Sequence, residues 1–119
     1  MNTETEQIRQ RTKSLAIGVV ELYRLLPYRK DAQVIGNQLL RSGTSVGANY
    51  RAVCRARSRP EFISKIGIVL EEADETVFWL ELLVETKIVT EERIGILLRE
   101  ARELTAIFTA SQRTAKANA

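Results

Sequence analysis

The sequence predicts an all-α protein, an antiparallel up-down-up-down four-helix bundle, on three observations. Apolar residues recur three, four or seven positions apart along most of the chain, the period of a helix and not the alternation of a strand. Hydroxyl caps and prolines break that pattern into four segments. The connections left between segments are only a few residues long, which forces consecutive helices to lie side by side in opposite directions. The 119 residues suffice for one such domain spanning residues 1–119, and no second core is needed.

Each element follows from its own residues. In the first helix Leu15, Val19, Leu22 and Leu26 form the apolar stripe, Thr3 with Glu6 fits a capping box, and Pro27 ends the run. The second carries Ile35, Leu39, Val46, Tyr50 and Val53. The third opens on Ser58 with Glu61, again a capping box, and holds Pro60 in the first turn, where its missing N–H is harmless. Its stripe is the widest: Phe62, Ile66, Val69, Ala73, Thr76, Leu80 and Leu83, flanked by Ile63, Leu70, Val77 and Val84. In the fourth, Thr90 supplies a hydroxyl cap and Glu91 and Glu92 place negative charge at the positive end of the helix dipole. Ile94, Leu97, Ala101, Leu104 and Phe108 then form its stripe. The period fades after Ser111, so a flexible tail over about 112–119 is expected.

Composition excludes several classes of function. A chain that is 45% hydrophobic and 28% charged is that of a folded, soluble domain. No uncharged stretch approaches the roughly 20 residues that cross a bilayer, so no membrane association is expected. The start, Met-Asn-Thr-Glu-Thr-Glu, lacks the basic and then apolar pattern of a signal sequence, and Cys54 is the single cysteine. Both point to the cytoplasm. There is no histidine, which removes the commonest general base and metal ligand. The cluster Glu71, Glu72, Asp74 and Glu75 reads as a solvated helix face, and Cys54 as a small apolar residue without a histidine partner. No catalytic residue, metal site or cofactor is expected, and the protein reads as a non-enzyme.

Two features remain as candidate sites. All six glycines fall inside predicted helices, and Gly43 and Gly47, four apart beside Ser42, permit a close helix crossing, either within the bundle or at an oligomer interface. The second feature is charge. Residues 31–60 hold Arg41, Arg51, Arg55, Arg57 and Arg59 against Asp31 alone, whereas residues 61–98 hold nine acids against three cations, which predicts an electrically two-sided molecule. Arg51 and Arg55 lie one turn apart, Arg59 would follow if the helix continued, and Arg57 lies beside them. Such a ridge suits phosphate, since guanidinium groups bind it through paired hydrogen bonds and the sequence pI is near 9.3. A solvated face, pairing with acids on a neighbouring helix and salt bridges between subunits stay open beside it. Tyr50 and Trp79 lie at or beside the core stripes and read as packing aromatics, not base-stacking platforms.

Three blocks in order carry a resemblance: Gln38-Leu-Leu-Arg-Ser-Gly-Thr-Ser-Val-Gly-Ala-Asn49, Arg57-Ser-Arg-Pro-Glu-Phe-Ile-Ser-Lys65 and Glu72-Ala-Asp-Glu-Thr-Val-Phe-Trp-Leu-Glu-Leu-Leu83. Over roughly residues 12–112 the chain resembles the bacterial four-helix-bundle proteins also called 23S rRNA intervening-sequence proteins. The resemblance implies an antiparallel bundle, assembly with itself into a homopentamer, no catalysis, and a basic surface for RNA or DNA. The similar accessory variability determinant proteins imply a reverse transcriptase as a further partner. Two departures sharpen the charge separation: Arg51 stands where the family commonly has glutamate, and Glu71-Glu72 where it commonly has Lys-Glu.

Overall fold

The computed structural model describes residues 3–118, which form four helices and no strand: α1 Thr3–Leu25, α2 Lys30–Val53, α3 Arg59–Glu85 and α4 Glu91–Ala117. Contacts between them are sequential and circular, α1 with α2, α2 with α3, α3 with α4 and α4 back to α1. Paired levels run in opposite directions along neighbours. Thr12 meets Gly47, Val19 meets Gly43 and Tyr23 meets Gly36 across α1 and α2, while Gly67 meets Gln112 and Glu81 meets Arg102 across α3 and α4. The bundle is 46 Å long, a little more than the roughly 40 Å rise of its 27-residue helices.

The core follows the predicted stripes, with two adjustments. Leu98, not Leu97, joins Ile94, Ala101, Leu104 and Phe108 in the interior; Leu97 is half-buried and rests on Gly18 of α1. Leu26 and Phe62 pack at the margin. The buried hydroxyls of Ser42 and Thr76 lie 3.1 Å apart between α2 and α3, and each also reaches a carbonyl of its own helix, Leu39 and Glu72 respectively. Neither polar group is left orphaned by burial.

The helix ends differ in detail from expectation. α1 already includes Thr3, so the residue preceding the helix, and with it any cap, lies outside the described residues. Ser58 caps α3 by accepting from the Glu61 N–H at 3.2 Å, but Glu61 returns its carboxylate to the Arg57 N–H, one residue earlier than the usual box. Thr90 caps α4 through the Arg93 N–H. α3 ends in a Schellman turn: Ile88 N–H donates to Leu83 O and Lys87 N–H to Val84 O, with Lys87 in the left-handed region at φ 64°. The expected tail over about 112–119 is helical through Ala117 instead, and Ala119 lies outside the described residues. α4 continues to Ala117, because Gln112 covers Gly67 of α3 and Arg59 donates to the Asn118 carbonyl beyond the last turn. No helix among the described residues is long and apolar enough to cross a membrane.

Candidate nucleic-acid interface

The ridge of Arg51, Arg55 and Arg59 with Arg57 beside it, expected if the helix continued, is broken. α2 stops at Val53, so Arg51 belongs to its last turn, Arg55 and Arg57 to the connection, and Arg59 to the first turn of α3. The reason is local: Ser58 caps a new helix that Pro60 can enter but not continue from the old one. Arg41 lies elsewhere. It faces α3, where its guanidinium pairs with Glu72 at 3.2 Å and with Glu75, so it is occupied by carboxylates of its own chain. Arg59 is held by the Asn118 carbonyl. Arg51, Arg55 and Arg57 are exposed, and among the described residues no carboxylate lies within ion-pair distance of any of them.

The small residues are used inside the protomer. Gly43 is buried against α1, and a Cβ there would come 2.7 Å from Val19 Cγ2. Ser42 is sealed against Thr76. Gly47 abuts the Thr12 backbone, where a Cβ would lie 3.3 Å from the carbonyl oxygen. The glycine contacts join α1 to α2 and the Ser42 contact joins α2 to α3, and Ser42 and Gly43 are buried within the protomer.

Antiparallel packing gathers cations at one end. The ends of all four helices meet there: Tyr50 of α2 stacks at 5.7 Å on Phe108 of α4, beside Ile8 and Phe62. Burial is the main cause that pushes the Tyr50 phenol up to about 12. Residues 3–12, 46–68 and 106–118, which build this end, carry nine Lys and Arg against three Glu, with Arg11 at its margin turned to Glu100 and Glu103; the rest of the chain carries nine against twelve acids. The expected two-sided molecule is therefore polarised from end to end. Across its sides the charges cancel, as Arg41 meets Glu72 and Glu75, Arg102 meets Glu81 at 2.9 Å, and Arg11 meets Glu100 and Glu103. The hydrogen bond that Arg11 donates to Glu100 is the largest cause that raises the Arg11 pKa.

Sequence reasoning missed two cations. Arg9 and Lys13 of α1 share an outer groove with Arg51, floored by Gly47 and Ala48. A signal was present: Glu6, Arg9, Gln10 and Lys13 form one polar helical face, and Thr44, Gly47, Ala48 and Arg51 another at matching spacing. Trp79 is half-buried with its indole N–H toward Glu75, and Tyr50 is buried, so neither offers a stacking platform. No cluster of metal-ligating residues occurs among the described residues.

On the opposite side of α1 the packing is thinnest. α1 and α4 touch least of the four neighbouring pairs, and between them runs an apolar groove of about 610 Å³ lined by Leu22, Leu25, Ile94, Ile96 and Leu97. Leu25 is 60% and Ile96 82% exposed.

The comparisons agree with this architecture. A crystal structure from Bacteroides thetaiotaomicron VPI-5482, described as a protein with unknown function from the S23 ribosomal protein family, is 36% identical with a TM-score of 0.81, over 88% of this chain and 97% of that one. Comparison with curated proteins returns no match. The profile of the 23S rRNA-intervening sequence proteins matches residues 4–110, nearly the whole described bundle, and the chain belongs to that family.

Proposed function

We propose that this protein is a non-enzymatic cytoplasmic binder of nucleic acid, with structured RNA as its partner, held through phosphate contacts. The observation that carries this is the exposed end where Arg51, Arg55 and Arg57 stand without carboxylate partners among the described residues, amid a threefold excess of cations. Arg59 adds charge at the same end, whereas Arg41 is withdrawn from the interface by its pairing with α3. Phosphate contacts position a protein without reading sequence, and they release counterions. Replacing Arg51, Arg55 and Arg57 with Ala should reduce the log-log salt slope of RNA binding by about 2 to 3. Fluorescence anisotropy with a labelled RNA hairpin at several salt concentrations measures this; an unchanged slope would refute the reading.

A second reading rests on the apolar groove between α1 and α4: a second copy of the chain covers it, in the homopentamer that the family resemblance implies. Leu25 and Ile96 are its most exposed members, and covering them with another copy would remove their apolar surface from water. The groove lies toward the end opposite Arg51, so assembly and RNA binding are compatible. Ile96→Asp should lower the mass seen by size-exclusion chromatography with light scattering; unchanged mass places the interface elsewhere. A reverse transcriptase is the protein partner this family reading adds.

A further inference from the structure

The outer seam between α1 and α2 forms an open groove of about 410 Å³ with small residues at its base and cations along its edges. Its floor is Gly47, Ala48 and Ala16, residues too small to fill the space above the close helix crossing. Its walls are Arg9, Gln10 and Lys13 on one side and Thr44 and Arg51 on the other. Glu6 is the one carboxylate of the lining, and it pairs with Arg9 at 3.3 Å. Lys13 and Arg51 are exposed and meet no carboxylate among the described residues, so the groove carries uncompensated positive charge along its length.

We propose that this groove seats the sugar–phosphate backbone of one strand of a duplex RNA, extending the cationic end of the bundle along α1; the inference rests on the nucleic-acid reading above. Arg9 and Lys13 stand one helical turn apart, about 6 Å along the axis, a step comparable to one nucleotide of a strand. The Thr44 hydroxyl donates to Leu40 O at 2.7 Å and so presents its lone pairs outward, while the Gln10 amide can both donate and accept. The Thr44 oxygen can then accept from a 2′-hydroxyl, and the Gln10 amide N–H can donate to a phosphate oxygen. No aromatic side chain lines the groove, which leaves nothing to stack on bases. The site therefore takes backbone and is indifferent to base sequence. Lys13 becomes a contact residue, and the small side chains of α2 acquire a use beyond packing: they keep the slot open.

The test is anisotropy titration of the full chain with two labelled RNA hairpins of equal length and different sequence. Lys13→Glu and Ala48→Glu change exposed positions and leave the core alone; each should weaken binding about tenfold at 0.1 M salt, the first by reversing a charge and the second by also filling the slot. Both hairpins should respond alike. If these variants bind as wild type while Arg55→Ala/Arg57→Ala binds weakly, the groove proposal is overturned and the nucleic-acid reading stands. If none of the variants alters RNA binding, both fall. A tenfold preference between the hairpins, or capture of polyglutamate as tight as that of RNA, would also overturn the groove, the latter by assigning it to an acidic protein.

Discussion

Replacement of Gly43 by Ala distinguishes packing inside the bundle from contact between subunits. The added Cβ would lie 2.7 and 2.9 Å from the two methyls of Val19 and 3.1 Å from its Cβ. Val19 is fully buried and β-branched, so it holds one rotamer and cannot swing aside cheaply. Overpacking of this kind costs about 1–3 kcal/mol, whereas removing a glycine from a helix interior returns about 1 kcal/mol. The net change is a loss of about 0–2 kcal/mol. Gly95 provides the ruler, because a Cβ there meets nothing within 4 Å. Gly95→Ala should therefore gain about 0.5–1 kcal/mol. The gap between the two variants, about 1–3 kcal/mol, isolates the clash. Urea denaturation followed by circular dichroism at one protein concentration measures it, since any linked assembly would make the midpoint depend on concentration. Val19→Ala should be less harmful in the Gly43→Ala background than alone, with a coupling of about 1 kcal/mol. Mass by light scattering should not change. A Gly43→Ala protein as stabilised as Gly95→Ala would refute the packing argument, and one that folds normally but dissociates would move Gly43 to a subunit interface.

Three further outcomes follow from other contacts. Lys87→Gly should raise stability by up to about 1 kcal/mol, a few degrees in a thermal melt, because Lys87 alone among described non-glycine residues holds a positive φ. Raising the pH should destabilise the fold between about 10 and the Tyr50 value of about 12, since the unfolded phenol ionises first and the buried one resists; Tyr50→Phe should flatten that loss in melts taken across the range. Arg41→Ala should leave the RNA affinity and its salt slope unchanged and cost no more than about 1 kcal/mol, because its pairs with Glu72 and Glu75 are partly exposed.

The helices were legible because each carries its own periodicity, and α3 and α4 also carry hydroxyl caps; Ser58 and Thr90 act where their spacing to Glu61 and Arg93 says they should. What was hidden depends on register between helices. The choice of Leu98 over Leu97 turns on how α4 meets Gly18 of α1, which no pattern within α4 reveals. The charge blocks suggested two opposed sides, yet the register of α2 on α3 lays Arg41 across Glu72 and Glu75, and opposite charges on adjacent helices cancel. The kinship of Lys13 with Arg51 likewise exists only once Val19 has docked into Gly43 and set α1 against α2. Continuation of α4 past Ser111 rests on Gly67 and Arg59, both on another helix.

The cationic end raises a question of cause, because a bundle has its own use for positive charge. The C-terminal ends of α2 and α4 both lie there, and Arg51 and Lys116 in their last turns are placed where a cation relieves the negative pole of a helix. Stability alone would account for those two. It does not account for Arg57, which precedes the Ser58 cap at the positive pole of α3, where a cation is disfavoured by about 0.3–1 kcal/mol. Under the proposed nucleic-acid reading, a side chain kept against its local electrostatics, exposed and without an ion-pair partner among the described residues, serves a phosphate and not the fold. The two arginines should then separate under the same substitution. Arg51→Gln should lower both stability and RNA affinity, whereas Arg57→Gln should lower affinity while leaving the urea midpoint equal or slightly higher. A midpoint that falls as far for Arg57→Gln as for Arg51→Gln would show that Arg57 serves the fold, and would remove the strongest electrostatic reason for reading this end as a surface made to meet a polyanion.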